Sequence, residues 1–237
     1  MIGKKNELTM HQLFWYFVLF SVIGLIVETI YGYATTGILE SRKGLIWGPF
    51  CPVYGVGATT LIILLNHVDQ KSYLRLFLYG VLIGSAVEYL LSYGLEAIFG
   101  TRFWDYTYTG NDINGRICVA YSFFWGILAV LLMKVVKPIL DNIINKTNLK
   151  IRTPIEIGLF LFLIVDALMT IWAINTYETR VISEYYGEPV EYPNILWMKK
   201  VEEEYFTNER MQKIFPNLRT KDREYNQAFV RDLILKE

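Results

Sequence analysis

Charge is scarce in most of this chain. Only 19% of the 237 residues are charged and the mean hydropathy is +0.29, whereas soluble domains carry roughly one quarter charged residues. Twenty-three basic residues cancel twenty-three acidic ones, so no basic field exists to attract nucleic acid, and a nucleic-acid-binding protein is excluded. Cysteine is equally sparse. Cys51 and Cys118 are too few for a disulfide framework and form no Cys-x-x-Cys metal spacing, leaving one optional bridge. His11 and His67 lie far apart in polar flanks and read as solvated or interfacial side chains. No metal site, cofactor site or catalytic set is predicted from these types. A Gly-x-x-x-x-Gly-Lys-Ser/Thr phosphate loop is missing, so any ATPase would be a separate chain. No cleavable signal peptide is expected, because the first apolar run is long enough to span a bilayer and lacks a small-residue cleavage site after it.

What the chain has is long apolar runs. A bilayer core of about 30 Å needs roughly 20 apolar residues in a helix, and five stretches approach this: Leu13 to Ala34, Leu45 to Leu65, Leu74 to Phe99, Ile117 to Val136 and Ile155 to Thr176. The second contains Pro49 and Pro52 near its start, so it can begin as a broken or re-entrant segment. The sequence therefore predicts an all-α, polytopic membrane helix bundle over residues 1–177. Close to half of the charges fall in 178–237, which predicts a soluble helical tail, with amphipathic stretches at Ile195 to Phe215 and Asp222 to Leu235. Lys4, Lys5, Lys71, Arg75, Lys134, Lys137, Lys146, Lys150 and Arg152 would share one side of the membrane; Arg42, Lys43, Arg102 and Arg116 would share the other. The positive-inside bias then puts the N-terminus in the cytoplasm and the tail outside, and a re-entrant second segment would reverse the tail.

The first four runs carry a repeat. Gly24-Leu25-Ile26-Val27-Glu28 recurs as Gly84-Ser85-Ala86-Val87-Glu88, and Gly44, Ile46, Gly55, Ala58 and Leu61 match Gly115, Ile117, Gly126, Ala129 and Leu132. Two helices per unit would give parallel repeats related by an axis along the membrane normal. The repeat would set Glu28 and Glu88 at one depth, facing each other.

An ionisable group inside a span costs several kcal/mol unless it faces a partner, the bundle interior or a wet cavity. Glu28, Glu88 and Asp166 are such groups, all between the midplane and the outer half. They suit cation capture or proton relay; the structural alternative is pairing with an Arg or capping of a helix end. Arg42 and Arg116, each beside a returning span, are the expected partners of the carboxylates. Trp47, Tyr54, Tyr89 and Trp104 complete the candidate binding set, and Tyr93, Tyr121, Trp125 and Trp172 could line a pocket with the carboxylates, although aromatic belts and helix packing also place such residues near an interface.

The Gly-x-x-x-Glu pattern ending at Glu28, the run from Arg42 to Gly57 (Arg-Lys-Gly-Leu-Ile-Trp-Gly-Pro-Phe-Cys-Pro-Val-Tyr-Gly-Val-Gly), Val87-Glu88-Tyr89, Arg102-Phe103-Trp104-Asp105-Tyr106 and Asn114-Gly115-Arg116 together resemble the ABC-transporter permease family of the CmpB type. The resemblance covers roughly Leu13 to Thr176. It implies a bacterial plasma-membrane protein named as a transporter permease, with no fixed substrate. An importer-type coupling signature has only a partial match, Glu96-Ala97 to Gly100, on the side assigned to the outside.

Three functions remain open on the sequence. The first is a permease-like component moving a cation or small cationic solute through a carboxylate-lined cavity, with a separate ATPase subunit as partner. The second is a membrane-embedded enzyme using paired carboxylates on an envelope lipid. The third is a non-catalytic assembly or sensor protein with the tail as its partner surface. The lipid bilayer is the surrounding partner in each, and homo-oligomerisation is left open.

Overall fold

The structure is a computed structural model that describes residues 8–100, 102–146, 149–190, 192–193, 195–221 and 227–234. Lys4 and Lys5 of the orientation argument, and residues 222–226 and Leu235 of the second tail stretch, lie outside the described residues.

Helix α1 spans Met10–Thr36. It starts because Thr9 and Gln12 form a reciprocal capping box, and it stops where Gly37 takes a left-handed conformation at φ 71°. Helix α2 runs Pro52–Leu65, with proline in its first turn, where no N–H is needed. Helix α3, Tyr73–Phe99, is capped by Ser72 and closed by Gly100. Helix α4, Val119–Leu131, passes through a π-helical turn, Leu132–Val136, into α5, Lys137–Lys146. Pro138 explains that turn: it lacks an N–H and its ring would clash with the carbonyl one turn earlier, so the backbone widens before it. Helix α6 runs Leu149–Tyr185.

Four helical segments are long and apolar enough to cross a membrane: Met10–Thr36, Tyr73–Phe99, Val119–Lys146 and Ile151–Tyr185. The expected second span is shorter than the sequence suggested. It becomes helical only at Pro52, and its 14 residues rise about 21 Å. The residues before it descend as irregular backbone, with Leu45, Ile46, Phe50 and Cys51 buried. Such backbone survives at that depth because protein covers it: Gly44 N–H donates to the Phe50 carbonyl (2.9 Å), and Cys51 N–H donates to the Ser21 carbonyl (2.9 Å).

Helices α1 and α2 form one antiparallel hairpin, and α3 and α4 form another. A Cβ on Gly24 would stand 2.2 Å from the Tyr54 ring, and one on Gly84 would stand 2.5 Å from Trp125. Tyr54 precedes Gly55 as Trp125 precedes Gly126, so the two hairpins make equivalent contacts at equivalent positions. Gly55 in turn packs against Phe17 and Ser21, and Gly126 against Phe77 and Val81, the positions that match them. The packed centre is Tyr16, Leu61, Ile62, Leu65, Leu76, Leu132 and Met133. Outward, Ile30, Leu82, Leu90, Ile127, Leu161 and Leu168 are more than half exposed, an apolar perimeter suited to lipid.

At the N-terminal end of α1, polar groups knit the bundle together. Glu156 accepts from Trp15 Nε1 (2.6 Å), pairs with Arg152 (3.4 Å) and bonds to His11 Nδ1, so the partly exposed His11 ring has a carboxylate partner. Asp141 accepts from Tyr16 and from Lys137 (2.7 Å).

The tail differs from the two expected helices. The first stretch breaks into α7, Leu196–Glu204, and α8, Asn208–Ile214, because Thr207 caps a new start with its side chain on Arg210 N–H. The described part of the second, 227–234, is a strand followed by one helical turn and a half: β4, Gln227–Phe229, pairs antiparallel with β3, Arg219–Lys221, and leads into α9, Val230–Ile234. These pieces bury Phe206, Met211, Phe215, Leu218, Val230 and Leu233 against Ile174, Tyr177 and Val181 of α6. Arg180, 5% exposed, holds them there, donating to Asn208 Oδ1 (2.6 Å) and to the Phe206 carbonyl.

Candidate functional site

The C-terminal ends of α1 and α3, the N-terminal ends of α2 and α4, and the tail meet at one end of the bundle around a cavity of about 360 Å³. Glu28 and Glu88 both line it. Glu28 accepts a hydrogen bond from Tyr54 Oη (2.6 Å). Glu88, 8% exposed, accepts from Trp125 Nε1 (2.9 Å) and from Tyr106 Oη (2.8 Å). The repeat accounts for the pattern: each outgoing helix carries glycine and glutamate one turn apart, and the aromatic residue of the returning helix packs on the glycine and donates to the glutamate.

Tyr106 comes from the loop between α3 and α4. Its N–H donates to the Gly115 carbonyl (2.8 Å), and its ring stacks on Tyr121 with centroids 4.8 Å apart. Gly115 has φ 68°, and a Cβ there would lie 2.4 Å from Asp105 Oδ1, so the turn admits little else. A short ladder closes the loop, β1 (Asp112–Ile113) against β2 (Ile117–Cys118). Burial, and then the charge of Glu88, push the Tyr106 phenol well above its ordinary pKa, so it stays a proton donor to the carboxylate.

Neither arginine forms an ion pair with Glu28 or Glu88, although the charge of Arg42 reaches Glu28. Arg116, 7% exposed, donates to Glu96 (2.6 Å) and Ser92 Oγ (3.0 Å) and lies over the Tyr89 and Tyr93 rings. Glu96 also accepts from Arg102 Nε (2.9 Å), so the one partial coupling-signature residue is the hub of a loop ion-pair cluster. Arg42 lines the cavity and sits 3.6 Å from Glu40, which pairs more closely with Arg231 (2.9 Å); Asn217, with its amide turned to suit both neighbours, donates to Glu40 (3.2 Å) and accepts from Arg42 (2.7 Å). Tyr54, Trp125 and Tyr106 take the hydrogen-bonding positions beside the glutamates, and each arginine forms its ion pair with another acid.

Asp166 is fully buried but stands behind the cavity wall, which α6 forms with Ala167, Thr170 and Ile171. Its Oδ1 accepts from the Trp47 N–H (3.1 Å) and Thr170 Oγ1 (3.4 Å), pinning the descending segment to α6; its Oδ2 has no partner among the described residues. Trp47 contributes that N–H, and its side chain is 37% exposed outside the cavity. Tyr89 also stands off the cavity, accepting from Asn114 Nδ2 (3.0 Å). Trp104 lines it and donates to the Arg116 carbonyl (3.1 Å). Of the candidate set, Glu28, Glu88, Arg42, Tyr54 and Trp104 are brought together; Asp166, Arg116, Trp47 and Tyr89 are not.

Several cavity residues fell outside the candidate set. Trp125, the repeat partner of Tyr54 through the alignment of Gly55 with Gly126, lines the cavity as the sequence suggested, whereas Tyr93, Tyr121 and Trp172 do not. Lys43 and the tail residues Phe215 to Leu218 carried no such signal. Cys51 lines the cavity, and both cysteines are buried and unbridged. Among the described residues no group of three or more His, Cys, Asp or Glu side chains is placed to hold a metal.

A family model described as Putative ABC-transporter type IV matches residues 15–171. No curated protein and no solved structure matches the chain.

Proposed function

The chain belongs to the Putative ABC-transporter type IV family, and we propose that within this multi-pass, transporter-like membrane protein Glu28 and Glu88 bind a cation or small cationic solute. One observation carries the reading. Both carboxylates border a single cavity and take their hydrogen bonds from neutral O–H and N–H donors; the charge of Arg42 reaches Glu28 without an ion pair. Neutral donors orient a carboxylate without cancelling its charge, which is left for a ligand; the Tyr54, Tyr106, Trp104 and Trp125 rings add favourable faces for a cation. Any ATP-driven step would need a separate ATPase chain.

The test is binding of choline, ethanolamine and putrescine to the purified protein in nanodiscs. At least one should bind, and Glu28→Gln and Glu88→Gln should each weaken it about tenfold or more, equivalent to about 1.4 kcal/mol. Undiminished binding in both variants, each still folded and inserted, would sink the site.

The same reading puts the cavity and tail outside and the N-terminus inside, from the basic excess at the opposite end: Lys71, Lys134, Lys137, Lys146 and Arg152. An engineered cysteine at Ser183 should react with an impermeant maleimide on intact cells, and one at Asn145 only after permeabilisation. The opposite pattern would invert the protein.

A further inference from the structure

We propose that α7 is seated in the bilayer: the N-terminal end of this tail helix dips into the lipid leaflet at the cavity end of the bundle, and its C-terminal end stands in water. The surface is separate from the cavity and does not depend on what the cavity binds.

The apolar perimeter marks the level of the membrane. The exposed side chains of α6 are apolar from Ile155 to Leu168 and polar at Asn175 and Thr179, so the boundary between hydrocarbon and water falls between them. Trp172 stands at that boundary, where tryptophan collects, and Tyr33 and Tyr93, both more than half exposed, continue the belt at the same end of α1 and α3. Helix α7 climbs from this level. Trp197 packs edge-on against Trp172, with centroids 5.9 Å apart. Glu202 accepts from Trp172 Nε1 (2.7 Å) and Thr176 Oγ1 (3.1 Å), and the carbonyls of Glu202 (3.5 Å) and Phe206 accept from Arg180. Positions 172, 176 and 180 are successive turns of α6, so α7 draws away from the membrane as it runs.

Its side chains follow the same order. Ile195, Leu196 and Trp197 are 52%, 81% and 61% exposed; Lys199 and Lys200 come next, and Glu203 and Glu204 last. Apolar, cationic, then anionic is the series that suits a segment leaving hydrocarbon through a layer of phosphates, with lysine stems in the apolar zone and their ammonium groups at the phosphates. The lysines are only loosely engaged by Glu203 and Glu204, at 3.7 and 3.8 Å. Leu196 and Glu203 lie on one face of α7, about 10 Å apart along its axis. The polarity therefore changes along the helix and not around it. A protein partner laid along that face would call for one character at both ends, whereas a bilayer edge calls for this gradient, and the apolar end is continuous with the lipid-facing perimeter through Trp172 and Leu168. The seat steadies the tail, which brings Phe215 to Leu218 to the cavity.

The test is power-saturation electron paramagnetic resonance on the full chain, a single copy per nanodisc of phosphatidylcholine and phosphatidylglycerol, with a nitroxide on Leu196→Cys, Leu168→Cys or Glu203→Cys. The buried Cys51 and Cys118 should leave the wild type unlabelled. Oxygen concentrates in lipid, and a neutral nickel chelate stays in water. The label at Leu196, a side chain 81% exposed, should behave as the one at Leu168, open to oxygen and closed to nickel, while the label at Glu203 should show the reverse. Nickel access at Leu196 equal to that at Glu203 would overturn the seat. Shielding of Leu196 from both reagents would overturn it as well, because protein and not lipid would then cover α7.

Discussion

Gly55→Ala is expected to destabilise the protein by at least the 1–3 kcal/mol typical of overpacking (about that range), and to do so more than the same change at Gly126 or Gly94. The added methyl would lie 2.3 Å from Ser21 Oγ and 2.5 Å from the Phe17 carbonyl oxygen. The serine can rotate, but the carbonyl is helix backbone, so α2 must move off α1. At the repeat-equivalent Gly126 the nearest atoms are Phe77 ring carbons at 2.7 Å, which can yield by a rotation. At Gly94 nothing lies within 4 Å, and alanine should gain up to about 1 kcal/mol of helix propensity. Buried, unbridged Cys51 and Cys118 allow the order to be read directly, through a thiol-reactive fluorophore during thermal unfolding. Equal melting points for Gly55→Ala and Gly94→Ala would mean that α1 and α2 are not packed this closely. Because Tyr54 adjoins Gly55 and donates to Glu28, the variant should lose ligand binding as well.

The same glycines show how far the sequence could be read. Long apolar runs, the Gly-x-x-x-Glu repeat and the proline-interrupted second run are local patterns, and local patterns follow from helix geometry and burial alone. They placed Glu28 and Glu88 at one depth, and the alignment of Gly55 with Gly126 already implied that Tyr54 and Trp125 are equivalent. Other features depend on where the chain returns in space. Tyr106 reaches Glu88 through a loop whose path is set by Gly115 and Arg116, and Phe215 to Leu218 reach the cavity only because the tail folds back on α6. Charge counting could say that Arg116 would find an acid, but not which one. Glu88 and Glu96 lie two helical turns apart on one face of α3, and the loop geometry selects the second. The tail misled for a related reason: an amphipathic period in 222–235 fits a helix, yet 227–229 pairs with β3, a tertiary contact that propensity does not register.

That choice of acid gives the second large effect. Arg116→Met should cost about 3–5 kcal/mol, the range for breaking a buried ion pair from one side, because both partners are shielded: the side chains of Arg116 and Glu96 are 9% and 12% exposed. Methionine keeps much of the packing volume but forfeits the bonds to Glu96 and Ser92 and the cationic contacts with Tyr89 and Tyr93. Arg102 still faces Glu96, so the charge is not wholly abandoned, and the lower end of the range is the better expectation. Arg116→Lys should recover only part of the loss, since an ammonium cannot span Glu96 and Ser92 as a guanidinium fork does. A double-mutant cycle separates the structural role from a functional one. Arg116→Met with Glu96→Gln should show a coupling above about 1 kcal/mol, whereas Arg116→Met with Glu88→Gln should be additive to within about 0.5 kcal/mol. Strong coupling to Glu88 and none to Glu96 would restore Arg116 as the partner of the cavity carboxylate and overturn the arrangement described above. With the expected result, the loop carrying Tyr106 and Trp104 loosens, and ligand binding falls along with stability although Arg116 never touches the ligand.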